Sequence, residues 1–165
     1  MQKSIRQIIL SLVLLSSTVL IGIFPANAAS SPVRAVDGIV QGNVQKVGFR
    51  AFIFRLAIRY NLGGTIENLQ DGSVHFALQG LSTSMDETLA AIRQGPAKAL
   101  VNSLKVKNTA IQNNVTSVTV KGWTSVQRNF EHPVDLVYPL RKNSQPITKP
   151  EAYHIYKEII RKAMA

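Results

Sequence analysis

The order strand, helix, strand, strand, helix, strand over residues 36–106 predicts an α+β fold of the split β-α-β type. This is a βαββαβ sandwich with two helices on one face of an antiparallel or mixed sheet. Three observations carry the prediction. A β-branched run ends at a glycine and feeds directly into a helical stretch. An Asp-Gly turn joins two alternating segments, and a second helical stretch stops at Gly95-Pro96.

Val36 to Gln41 is rich in β-branched residues and ends at Gly42, as a strand does. In FRAFIFRLAIRYN, Phe49, Phe52, Ile53, Leu56 and Tyr60 recur at helical spacing before the stop Asn61-Leu62-Gly63-Gly64. That makes a helix of about three turns with Arg50 in its first turn. GTIENL reads as a second strand, LQDG as a tight turn, and SVHFALQ as a third strand whose Val74, Phe76 and Leu78 alternate with polar or small neighbours. Ser82 or Ser84 is placed to cap a second helix through Arg93, with Asp86 and Glu87 as early acids suited to the helix dipole. Beyond Pro96, Leu100 to Val106, Val115 to Trp123 and Val134 to Leu140 each have strand character, and only part of the three need join the main sheet. After Arg141 and two prolines, Tyr153, Tyr156, Ile159, Ile160 and Ala163 form one apolar stripe, a terminal helix either docked on the domain or frayed. Lys157, Arg161 and Lys162 beside that stripe leave a membrane surface as the alternative to packing.

The amino-terminal end has a different character. Lys3 and Arg6 precede an apolar run from Ile8 to Phe24, and Ala26-Asn27-Ala28 has the small-x-small spacing of a cleavage site. This is the order of a secretory signal, so the expected organisation is a signal peptide over 1–28, a domain over 29–141 and an extension with a helix over 142–165. The expected location is therefore periplasmic or extracellular. An uncleaved membrane anchor is the alternative, because the run approaches the roughly 20 residues of a span. Two of the 19 basic residues lie before Ala28, and the remainder still exceed the 9 acids by about eight, which favours an anionic partner. With no cysteine there are no disulfides, thiolate nucleophiles or cysteine zinc sites.

The chemistry gathers at GNVQKVGFR, residues 42–50. A strand-helix-strand crossover returns its second strand parallel to the first, so the ends of VDGIVQ and GTIEN lie at one edge of the sheet, where ligands collect. The turn's backbone N–H groups can form an anion nest aligned with those of the helix start. Arg50 can reach back over the nest with a planar fork that matches phosphate oxygens. Asn68, ending the neighbouring parallel strand, can hold a water through its amide. On the residues alone, a phosphate site and an ordinary glycine-bearing turn both remain open.

His75, His132 and His154 are not spaced as metal ligands and read as surface residues, and no serine has a nucleophile-elbow setting. Asn114 begins a glycosylation sequon, which matters only in a eukaryotic secretory route.

GNVQKVGFR, GTIENLQDGSV and GPAKALVNSLKV resemble, in order and spacing, three successive signatures of the acylphosphatase family. The first is Gly-x-Val-Gln-Gly-Val-x-Phe-Arg, the second Gly-x-Val-x-Asn before an Asp-Gly-type turn, and the third Gly-Pro followed by a small residue and a valine. The resemblance covers roughly residues 36–106. It implies a ferredoxin-like enzyme, without metal or organic cofactor, that hydrolyses the carboxyl-phosphate bond of acyl phosphates, a class of acid anhydride. It also implies that Arg50 binds the substrate phosphate, that Asn68 orients the attacking water, and that Val44, Gln45, Lys46, Val47, Gly48 and Phe49 form the phosphate-binding loop. Two features depart from the family pattern. Lys46 stands where the family has glycine, and if that position needs positive φ a lysine costs roughly 1–2 kcal/mol there. The export signal and the long C-terminal half are the other.

The expected ligand is thus a small-molecule acyl phosphate or phosphate, the expected state a monomer, and no stable membrane insertion is expected after signal cleavage. Nucleic acid is not expected, since the chain lacks the aromatic-bearing strand motif used for base stacking. The rival readings are a non-catalytic anion- or partner-binding module on the same fold, and a basic domain for membrane surfaces or nucleic acid.

Overall fold

The computed structural model of the chain describes residues 32–124 and 132–164, and the expected signal segment over 1–28 lies outside the described residues. The elements run β1 (Val33–Asn43), α1 (Phe49–Tyr60), β2 (Gly63–Asn68), β3 (Val74–Leu81), α2 (Ser82–Gln94), β4 (Leu100–Thr109), β5 (Ser117–Trp123), β6 (Val134–Pro139) and α3 (Lys149–Ala163). Through β4 this is the expected βαββαβ order. The α+β class holds, with a mixed sheet and helices packed on it.

The sheet is larger than expected. All three C-terminal strand candidates join it, giving six strands in the order β4-β1-β3-β2-β5-β6. Among the described residues only β2 and β5 pair in parallel, with Ile66 opposite Val120. Because β3 is antiparallel to both β1 and β2, those two strands point the same way and end at one edge. Asn68 is therefore not on a strand adjacent to β1, since β3 lies between them.

Alternation builds the core. Val36 and Val40 of β1, Ile66 of β2, Val74 and Phe76 of β3, Val118 and Val120 of β5 and Leu136 of β6 are all buried. They meet Ile53, Phe54, Ala57 and Ile58 of α1 and Met85 and Ile92 of α2. On the opposite face of the sheet, His75 bridges Asp37 and Glu67 at 3.1 Å each.

Two sequence expectations about α2 fail for one reason. β3 runs into α2 without a loop, so the cap position is Leu81, with no side-chain cap bond, and Ser84 turns into the interior. Asp86 then lies beyond the first turn, where it pairs with Arg34 at 2.7 Å.

The terminal helix is docked. Thr148 caps α3 by accepting from the Glu151 N–H, Pro150 sits in its first turn, and Ala152 and Ile160 are buried. Arg141 ties the extension to α1: its guanidinium donates to the carbonyls of Ile58 (2.6 Å) and Gln145 (3.0 Å), and its backbone exchanges hydrogen bonds with the Asn61 amide. The helix-end carbonyl of Ile58 thereby gains a partner it would otherwise lack. Among the described residues no helix is long and apolar enough to cross a membrane.

Candidate active site

The strand-to-helix turn is shaped by its backbone. Val44 is buried and anchors the loop, while Lys46 (φ 60°) and Gly48 (φ 81°) both adopt left-handed conformations. Gln45 and Val47 do not, so the sign of φ alternates along the turn, the pattern that makes successive N–H groups converge into a nest. Glycine at 48 meets this requirement without a Cβ penalty, whereas Lys46 meets it at a cost. Among the described residues, no close and well-aligned acceptor is found for the N–H groups of Lys46 through Ala51, although residues 45–48 form a loose turn. They form one run of unmet donors across the loop and the first turn of α1.

Gln45 has a different task. Its amide donates to the carbonyls of Leu69 and Ser73, both at 2.8 Å, and so fastens the loop to the β2–β3 turn directly after Asn68. Asn68 shares the strand parity of buried Ile66 and pairs with Val74, which directs it to the helix-covered face. Its amide makes no hydrogen bond to a described residue.

A cleft of about 470 Å³ brings these groups together: Val44, Lys46, Val47, Gly48, Phe49, Arg50 and Asn68 all line it. Of the residues expected in the loop, only Gln45 is absent from the lining, because its side chain faces the turn.

The Arg50 guanidinium, which lines the cleft with the loop, is anchored on β5. Its Nη1 donates to the carbonyls of Lys121 (2.8 Å) and Gly122 (3.0 Å), and the guanidinium lies over the Trp123 ring at 5.5 Å. These carbonyls are exposed by an irregularity between Val120 and Trp123 in the β5–β6 ladder. Gly122 adopts φ 55° there, with its N–H held by Asp135 at 2.8 Å. Burial lowers the pKa of Arg50, yet a guanidinium stays charged at neutral pH. Its Nη2 and Nε donate to no described residue, so its second edge is open to an oxyanion.

The remaining wall was missed from the sequence. Arg55, Lys98, Trp123, Thr124 and Tyr156 also line the cleft. The lone tryptophan at the end of a strand candidate was a usable signal. Tyr156 offered none, since its position depends on where α3 docks. The cleft carries four cations, Lys46, Arg50, Arg55 and Lys98, and no acidic residue among its described lining.

Comparison with known proteins identifies a family. Residues 36–120 match the acylphosphatase family profile. The chain belongs to the acylphosphatase family. It is 42% identical over 73 residues to the acylphosphatase of Methanocella arvoryzae, covering 44% of this chain and 83% of that relative. It is 46% identical over 74 residues to the acylphosphatase of Chlorobaculum tepidum, covering 45% and 80%. In fold it is similar to part of full-length HypF in its phosphate- and nucleotide-bound form, with a TM-score of 0.50 and 21% identity over 55% of this chain and 12% of that one. The family match reaches into β5, further than the sequence resemblance did, while Trp123, β6 and α3 lie beyond it.

Proposed function

We propose that the chain hydrolyses the carboxyl-phosphate bond of acyl phosphates, with Arg50 and Asn68 as its catalytic residues. The observation that carries this reading is the run of unmet N–H donors from Lys46 to Ala51, which shares one cleft with Arg50 and Asn68. The acylphosphatase relatives support it.

In the proposed reaction, the loop N–H groups and the open edge of Arg50 hold the phosphoryl oxygens, and Lys46 adds a positive charge nearby. The Asn68 carbonyl oxygen accepts a hydrogen bond from a water, aiming its lone pair at phosphorus. The P–O bond to the acyl group breaks, its electron pair leaves with the carboxylate, and the proton lost by the attacking water passes to solvent. A carboxylate leaves easily and the transition state is loose, so positioning and charge stabilisation suffice without a general base.

Phosphate release from benzoyl phosphate tests this reading, with Arg50→Gln and Asn68→Ala each expected to lower kcat by on the order of 100-fold. A folded Arg50→Gln protein that keeps most of the parent's activity would sink it. A second reading, an anion-binding module without turnover, draws on the strained Lys46 and on the engagement of Arg50 Nη1 with β5. It predicts phosphate binding that Arg50→Gln weakens, with no hydrolysis in the parent.

The reading includes export with cleavage after Ala28. An intact mass beginning at Ala29 is expected for the exported protein, and a membrane-bound form retaining Lys3 and Arg6 would favour the anchor instead.

A further inference from the structure

We infer that the C-terminal extension adds a second anion subsite to the cleft, centred on Arg55, and that the acyl group of the substrate therefore carries a negative charge of its own. The inference rests on the acyl-phosphate reading for the reaction but not for the binding.

Arg55 lies five residues beyond Arg50 on α1, about 7.5 Å along the helix axis. It is half-buried and lines the same cleft. Its guanidinium lies over the rings of Tyr156 (5.2 Å) and Tyr153 (5.8 Å), both supplied by α3. Among the described residues no carboxylate pairs with it, so its charge is met by ring faces alone. A half-buried guanidinium without an acidic partner has strong donors left for an anion.

The two arginines are joined by an aromatic shelf. Arg50 lies over Trp123, Trp123 meets Tyr156 edge-on at 6.4 Å, and Tyr156 carries Arg55. Tyr156 also meets fully buried Phe54 edge-on at 6.4 Å, which ties the shelf to the core. A phosphoryl group at the loop would direct its acyl chain along this shelf, and the chain's far end would meet Arg55. Lys98 on the same cleft adds to the field, and no described lining acid opposes it. The far group is a carboxylate or a second phosphate, since both match a guanidinium fork.

The test uses the full chain. With acetyl phosphate and the mono-acyl phosphate of succinic acid as substrates, the parent is expected to favour the succinyl compound in kcat/KM by roughly tenfold, the worth of one charge-assisted pair, mainly through KM. Arg55→Met should bring that ratio close to one, with Arg55→Lys, which keeps the charge but not the fork, in between. A parent ratio near one, or a parent-like ratio in folded Arg55→Met, overturns the inference. Should Arg55→Met not fold, a parent-like ratio in Arg55→Lys overturns it instead.

If the parent cleaves neither compound, hydrolysis fails while the subsite is still testable by calorimetry. 3-Phosphonopropionate should then bind roughly tenfold tighter than propylphosphonate, and Arg55→Met should abolish the difference. Equal binding of the two by the parent overturns the subsite. Propane-1,3-bisphosphonate in the same assay distinguishes a terminal phosphate from a terminal carboxylate, by which of the two doubly headed ligands binds tighter.

Discussion

Replacing Lys46 by glycine and by alanine in parallel isolates the backbone of the loop. The Lys46 side chain is exposed and makes no hydrogen bond or ion pair to a described residue, so neither replacement removes a structural contact. At φ 60° an L-residue carries a strain of roughly 1–2 kcal/mol that glycine does not. Glycine in turn loses about 0.5–1 kcal/mol relative to alanine through the greater freedom of its unfolded chain. At the middle of these ranges Lys46→Gly is more stable than Lys46→Ala by roughly 0.7 kcal/mol, the reverse of the usual order. Equilibrium unfolding in urea measures it, as a shift of midpoint at constant slope. Alanine equal to or more stable than glycine at 46 would refute a left-handed loop, and with it the nest built on the alternation of φ.

Three other perturbations have definite outcomes. Arg141→Met removes the donors to Ile58 and Gln145 and should lower stability by about 2 kcal/mol in the same urea assay; no loss would mean that the extension is not held to α1 by this residue. Trp123→Leu removes the face under Arg50 and the edge contact to Tyr156, worth about 1 kcal/mol, so kcat/KM for benzoyl phosphate should fall about fivefold and Trp123→Phe should recover most of it. Unchanged kinetics in Trp123→Leu would show that Arg50 needs no such support. Asp71 accepts hydrogen bonds from the hydroxyl (2.6 Å) and N–H (2.9 Å) of Ser73, which hold its carboxyl below the ordinary range. A depressed pKa contributes stability above the unfolded value of about 3.9 that is lost as pH falls through the folded one, so the stability gap between parent and Asp71→Asn should be present at neutral pH and close in acid. A gap that widens on acidification would contradict this.

The parts of the fold legible in the sequence are those written in local periodicity. The stripe from Phe49 to Tyr60, the alternation of Val74, Phe76 and Leu78, and the Asp-Gly turn each specify an element from neighbouring residues. The placement of β5 beside β2 is different, because a parallel pair between Ile66 and Val120 depends on contacts far apart in the chain. The candidate site divides in the same way. The loop, Arg50 and Asn68 share one sheet edge through a short crossover and could be grouped from sequence. The path of the Arg50 side chain follows from the bulge at Gly122, which depends on β6, and the docking of α3 brings Tyr156 against Trp123 and Arg55 to complete the wall. The capping role expected of Ser82 or Ser84 failed because the absence of a loop between β3 and α2 leaves no residue signature of its own.

The most direct test of the account is hydrolysis of benzoyl phosphate in ¹⁸O-labelled water by the full chain and by Asn68→Ala. Attack at phosphorus by a water that Asn68 holds predicts rapid release by the parent with the label in inorganic phosphate, and release near the uncatalysed rate by the variant. Label in benzoate, or equal release from the two folded proteins, would contradict it.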